Sequence, residues 1–313
     1  MMIRTEFTFP SALSGREITA YSWSSGGKCR GVVQLVHGMQ EHMRRYDDFA
    51  VFLASHGFVV YGSDHLGHGK SIRKESDYGY FGPSEGWRNL VSDQYTLMQT
   101  AKKEHPHVPF ILIGHSMGSF IAREMAAEYG QQLDMAIFLG TSDGDRLLKI
   151  AKRWADYSST RHGIKTPASM LGSAAFASFQ RKIKHPRTHH DWLSTLPEVV
   201  DAFILDTECG RDFTYGGFQD LFTLLARVSA KEWAYRLPKK LPMLLVSGKE
   251  DPVGAYGKGI RHLANRLMRA DCCCISVKLY ANMRHCVLHE ARQEQVYDDI
   301  LKWILRHLPK SIS

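Results

Sequence analysis

Six short apolar runs punctuate the chain: GVVQLVHG (31–38), FVVYGSDH (58–65), FILIGHS (110–116), MAIFLG (135–140), MLLVSG (243–248) and ISVKLY (275–280). Between them lie segments with helical spacing, and this alternation predicts a mostly parallel sheet flanked by crossover helices. All but the last run close on Gly, Ser or His, where an open parallel sheet places its ligand-facing loops. Ahead of them, FTFPSALSGREITAYSWS (7–24) reads as a hairpin turning at Leu13–Gly15, an antiparallel edge. The final helix, from Glu290 to about His307, carries Val296, Ile300, Ile304 and Leu308 as a buried stripe. Glu290 and Glu294 lie early in it and Lys302 and Arg306 late, which suits the helix dipole.

Residues 141–238 break this rhythm. They contain no strand-like run but several helical segments, such as ASMLGSAAFASFQRKI and FQDLFTLLARVSAKEWAY. The stretch reads as a helical insertion packed as a lid over the sheet's C-terminal edge. The expected division is a core of 1–140 and 239–313 with a cap of 141–238.

Composition narrows the class. At 313 residues with 44% apolar and 11% aromatic residues, the chain can bury a sizeable core. The start, MMIRTEFTFPSALSGRE, has no basic stretch leading into an apolar run, and nothing approaches the roughly 18 apolar residues of a membrane span. A soluble cytoplasmic protein is expected. The six cysteines form no CxxC pair, and Cys272, Cys273 and Cys274 are consecutive, so free buried thiols are expected. The net charge of +8 is dispersed apart from two clusters, Arg146 to Arg153 and Arg181 to His190. Neither cluster interleaves the aromatics or glycines of a nucleic-acid module, so nucleic acid is not expected. A solvated basic face is the plainest reading, and transient contact with a lipid surface is the alternative.

Candidate chemistry centres on GHSMG, Gly114 to Gly118. The motif follows the strand FILI directly and precedes a helix that stops at Gly130, which is the strand–turn–helix context of a nucleophile elbow. Ser116 thereby sits at a helix N-terminus, whose dipole favours developing negative charge. A serine needs a base, and the chain order is Ser, then acid, then His. His285 lies in the loop after ISVKLY, with His289 as competitor one helical turn later. Asp251 follows MLLVSG and precedes Pro252, which restricts it to an extended conformation. Asp143 and Asp145 are its rivals, one strand earlier. Oxyanion donors are expected from the backbone N–H groups of Met117 and of Met39, in the loop HGMQEH. His37, His42, His65 and His68 do not match a zinc spacing, so loop-bracing hydrogen bonds are expected of them rather than metal ligation.

Together, VHGMQEHMRRY, GSDHLGHGKS, IGHSMGS, SGKEDPVG and MRHCVLHE resemble the monoacylglycerol lipase and lysophospholipase branch of the α/β-hydrolases. The matching segments run from about residue 30 to 290 in the family's order. The resemblance implies the α/β-hydrolase fold, Ser116, Asp251 and His285 as a triad, Met39 and Met117 as oxyanion donors, and a cap in 141–238. One cap segment, LDTECGRDFTYGGFQDLF, is similar to a stretch of bacterial lysophospholipase-like members, although Thr207 stands here where Pro is usual.

The expected activity is carboxylic ester hydrolysis through an acyl-enzyme, with no metal or cofactor. The leading substrate is a monoglyceride or lysophospholipid. Met170, Phe176, Phe179, Phe213 and Phe218 are candidates for lining an acyl pocket, against the plainer reading that they form the cap's own core. Three alternatives stand beside it. A proline-iminopeptidase-like peptidase would hold a free amine with Glu208, Asp206 or Asp212. An acyltransferase would pass the acyl group to an alcohol. A non-catalytic receptor for a small ligand would use the same fold.

Overall fold

A computed structural model describes residues 2–144 and 148–309. Among the described residues eight strands form one sheet in the order β1-β2-β4-β3-β5-β6-β7-β8. They are β1 (Ile3–Pro10), β2 (Glu17–Ser24), β3 (Gly31–Val36), β4 (Phe58–Ser63), β5 (Phe110–His115), β6 (Met135–Leu139), β7 (Met243–Gly248) and β8 (Ile275–Tyr280). β1 and β2 form the antiparallel edge hairpin, with Arg16 N–H closing the turn on Leu13 O at 3.1 Å. From β4 to β8 every neighbouring pair is parallel.

Apart from β8 at the edge, where Tyr280 alone is buried, the apolar runs form strands because both sheet faces are covered. Leu112, Ala136, Phe138 and Leu245 face one core cluster, while Ile111, Ile113, Ile137 and Val246 face the other. This is the period of two expected of a strand. The first layer holds α2 (Gly86–Glu104), α3 (Met117–Tyr129) and α8 (Lys258–Arg269). The second holds α1 (Asp47–Ser55) and α9 (Gln293–His307), where Val296, Ile300 and Ile304 are fully buried. α9 begins three residues later than its charge pattern predicts. Glu290 precedes it and accepts hydrogen bonds from Thr195 N–H and Arg284 N–H, at 3.0 and 2.8 Å.

Between β6 and β7 the described residues form α4 (Leu148–His162), α5 (Ser169–Gln180), α6 (Pro197–Leu205) and α7 (Tyr215–Ser229). Pro197 opens α6 at the first helical position, and the Thr214 hydroxyl caps α7 by accepting the Gly217 N–H at 3.0 Å. α7 packs on α2 and α3, and its Leu221, Leu224 and Val228 belong to the main core. The inserted segment is thus rooted in the sheet's own helical layer at its C-terminal end. Its outer part has a small separate core of Trp192, Leu193, Phe203 and Cys209, joined by Cys286.

All six cysteines are unpaired, but only Cys209, Cys272 and Cys286 are buried, and Cys273 is exposed. Among the described residues no helix is long and apolar enough to cross a membrane.

Candidate active site

β5 delivers Ser116 at a turn with φ 52° and ψ −122°, and α3 starts at the next residue. Two glycines make that turn possible. A Cβ on Gly114 would come within 2.4 Å of Gly118 O, and one on Gly118 within 2.1 Å of Val36 O. Both obstacles are backbone and cannot step aside. Ser116 N–H is anchored to Leu139 O on β6 at 2.9 Å.

The structure brings His285 and Asp251 together in the loops after β8 and β7. His285 Nδ1 lies 3.1 Å from Asp251 Oδ1, with both residues buried. The same Asp251 oxygen accepts the Val253 N–H at 2.9 Å, and the other accepts the Ser247 hydroxyl at 3.0 Å. Burial alone would raise this carboxyl, but the His285 ring and these donors outweigh it and hold it below its ordinary value. Nδ1–H is therefore the tautomer the carboxylate selects, leaving Nε2 as the basic nitrogen. That nitrogen is buried and has no hydrogen-bond partner among the described residues. The ring is held between those of His115 and Trp192, at 4.8 and 5.0 Å. Gly140 makes room for it, since a Cβ there would lie 2.9 Å from His285 Cε1. The sequence signal for that role was the glycine closing the fourth apolar run.

Two of the three rivals are engaged elsewhere. His289 is buried, with Nε2 donating to Arg45 O at 2.7 Å, and desolvation pushes it down to about 4. Asp143 sits among Arg266 Nη2 (2.7 Å), Arg123 Nη2 (3.5 Å) and His262 Nδ1 (2.6 Å). Asp145 lies outside the described residues.

Met39 and Met117 line the same cavity as Ser116. The loop carrying Met39 is braced by a buried carboxylate that sequence reasoning missed. Glu41 Oε1 accepts the Gly38 N–H and the Tyr46 hydroxyl, each at 2.6 Å, and lies 3.3 Å from His115 Nδ1. Its Oε2 accepts from Arg45 Nε at 3.1 Å. His115 Nε2 reaches the His285 carbonyl at 3.3 Å. One network thus joins the loop of Met39, the residue before Ser116 and the loop of His285.

Three of the four early histidines brace loops. His37 Nδ1–H donates to Gly38 O (2.7 Å) and Nε2 accepts the His65 N–H (3.0 Å). His65 Nε2–H donates to His37 O (3.0 Å), and His68 accepts the Gln40 N–H (3.3 Å). Desolvation lowers all three, His65 to about 4 and His68 to about 3, so they act as neutral spacers. His42 differs: its Nε2 lies 2.9 Å from Asp206 Oδ2.

Above Ser116 opens a cavity of about 530 Å³, mostly apolar. Phe176, Phe179 and Phe218 line it, as do Phe120, Leu221, Phe222 and Leu225. Two expected residues do not. Met170 is 79% exposed at the start of α5, and Phe213 is buried against Phe81 (5.1 Å) and His68 (5.3 Å) as part of the core. Spacing on α7 (218, 221, 222, 225) marked the true wall. Glu208, Asp206 and Asp212 also lie off the cavity, with Asp212 accepting the Ser169 hydroxyl.

A family model described as serine aminopeptidase S33 matches residues 27–292. The chain belongs to this family of α/β-hydrolases. It is 28% identical to a monoacylglycerol lipase of Mycolicibacterium smegmatis over 305 residues, covering 97% of this chain and 98% of that one. It is 31% identical to the human monoglyceride lipase over 306 residues, covering 93% and 87%. Among solved structures, a thermostable carboxyl esterase from Bacillus coagulans in complex with glycerol superposes with a TM-score of 0.90 at 28% identity, covering 97% and 98%. With these relatives, the family member described here is a carboxylic ester hydrolase.

Proposed function

We propose that the chain hydrolyses single-acyl-chain glycerol esters, with Ser116 as nucleophile, His285 as base and Asp251 as the orienting acid. The observation that carries the reading is the buried Asp251–His285 pair, whose free Nε2 shares an apolar cavity with Ser116 at its elbow. His285 takes the Ser116 proton as Oγ attacks the ester carbonyl, and Asp251 stabilises the imidazolium. The N–H groups of Met39 and Met117 receive the oxyanion. His285 then protonates the leaving alcohol, and water attacks the acyl-enzyme with His285 again as base. Every proton passes through one imidazole, so no metal or cofactor enters the cycle.

The cavity favours an acyl chain over a peptide. An aminopeptidase must hold a free amine, yet among the described residues the carboxylates that line the cavity, Glu41 and Asp143, are already committed to cations, and Asp206, Glu208 and Asp212 lie outside it. The inserted helices act as a lid. On α4, Ile150 and Trp154 reach the cavity and are 64% and 44% exposed, with Tyr157 one turn on and Lys149, Lys152 and Arg153 beside them. An apolar rim edged by cations supports transient docking on an anionic lipid surface. Buried free thiols fit the reducing cytoplasm.

A panel of monoacylglycerols, lysophospholipids, p-nitrophenyl esters and aminoacyl arylamides tests the assignment, with Ser116→Ala as control. Monoacylglycerol cleavage abolished in the variant is expected. Arylamide cleavage without ester cleavage, or unchanged turnover in Ser116→Ala, overturns the reading. Glycerol added during turnover separates hydrolysis from acyl transfer by product partitioning.

A further inference from the structure

After α6 the chain folds into a tight turn in which the Cys209 N–H bonds Asp206 O (3.0 Å) and the Glu208 N–H bonds Asp206 Oδ1 (2.9 Å). The turn presents a carboxylate, a second carboxylate and a thiol within four residues. A histidine from a distant stretch of chain faces them. His42 Nε2 lies 2.9 Å from Asp206 Oδ2 and 4.0 Å from Glu208 Oε2. One ligand atom from each of His42, Asp206 and Cys209 falls within 4.8 Å of the others, and His42 and Cys209 are buried.

We propose that His42, Asp206 and Cys209 form a binding site for Zn²⁺, with Glu208 as the fourth protein donor. An imidazole nitrogen, carboxylate oxygens and a thiolate are the donors that a tetrahedral, borderline-soft dication selects. At zinc–ligand distances of about 2.0–2.3 Å, ligand atoms stand about 3.3–3.8 Å apart. The present separations bracket that span, so sub-ångström to ångström shifts of side chains reach it. A short chelating turn with one distant ligand also joins two segments of chain. Here it joins the cap to the loop that carries Met39, which the Gly210 N–H already touches through Gln40 O at 2.9 Å. Binding converts the Cys209 thiol to thiolate and releases its proton to solvent. None of His42, Asp206, Glu208 and Cys209 lines the cavity that holds Ser116 and His285, so the site is independent of the ester reading.

The test uses the full chain after chelator treatment, titrated with Co²⁺ as a spectroscopic substitute and then with Zn²⁺. One equivalent is expected, with a near-ultraviolet thiolate-to-cobalt band that Zn²⁺ displaces. Cys209→Ser removes the band, and His42→Gln and Asp206→Asn each weaken binding at least tenfold. The competing thiols are Cys273 and Cys274, whose sulfurs lie 3.5 Å apart near the surface. A Cys273→Ser, Cys274→Ser double variant keeps the band if the proposal holds. Absence of the band in the wild type, or a band that survives Cys209→Ser, overturns it. So does a band lost in the double variant. Should Cys209→Ser fail to fold, the Asp206→Asn variant, which keeps the thiol and the volume, decides through its affinity.

Discussion

Replacing Glu41 separates the two tasks this carboxylate performs. One oxygen holds the proposed oxyanion loop through Gly38 N–H, and the other balances Arg45. Glu41→Gln keeps an oxygen for Gly38 and Tyr46 but turns an amide N–H₂ toward the Arg45 guanidinium, whose side chain is only 10% exposed. Leaving a largely buried charge without its partner costs about 3–5 kcal/mol. At about 2 °C per kcal/mol for a chain of this size, the melting point falls by roughly 6–10 °C. Glu41→Ala loses the same pair and also frees the Gly38 N–H, so the Met39 donor drifts. Losing one oxyanion donor costs roughly 10²–10³ in kcat. The alanine variant should therefore drop about 100-fold in kcat with KM little changed, while the glutamine variant stays within about tenfold. Steady-state kinetics on a p-nitrophenyl ester, well below both melting points, gives the comparison. The pH dependence has a definite sign. Burial alone would raise Glu41, but His115 and Arg45 outweigh it and hold it well below the usual carboxylate range. Its stabilisation is therefore complete above the unfolded value near 4.5 and is lost as pH falls through the folded one. The stability gap between wild type and Glu41→Gln should close below about pH 4.5. Wild-type kcat in Glu41→Ala, or a gap that widens in acid, refutes the reasoning.

Asp251→Asn should lower kcat by about 10⁴ by releasing the His285 tautomer, whereas Asp143→Asn stays within about tenfold, because Asp143 binds arginines rather than His285. The two rates on one ester settle which acid acts. Ser116→Gly should abolish turnover yet gain about 1 kcal/mol in urea unfolding, since φ 52° with ψ −122° suits glycine far better than serine. Gly118→Ala should cost more than about 4 kcal/mol, because its Cβ meets the Val36 and His37 carbonyls at 2.1 and 2.4 Å. Loss of folded protein on size exclusion measures it.

The fold was legible because strands buried on both faces leave an unmistakable mark: MLLVSG coincides with β7 to the residue, and all six of its positions are buried. The placement of Ser116, Asp251 and His285 was legible because loop position at a strand's end fixes where a side chain emerges. Cap residues were not. Met170 and Phe213 are apolar at helical spacing or nearby, yet one faces solvent and the other the core. Spacing reveals a face but not what lies against it. Glu290 was assigned to a dipole on charge order alone, whereas its partners are Thr195, from distant chain, and Arg284, in the loop just before it. Glu41 passed unnoticed for the same reason, since four groups from three elements converge on it.

Gly118 rests directly on the last carbonyls of β3, and β3 also leads into the loop that carries Met39. The proposed nucleophile and the proposed oxyanion donor thus share one mechanical datum. Thermal breathing of the sheet carries both along together, and the spacing between them is insulated from motion that displaces either relative to the outer helices. Motion of the inserted helices reaches the site through their bonds to the two loops, Gly210 N–H to Gln40 O and Cys286 N–H to Leu193 O, rather than through this shared datum.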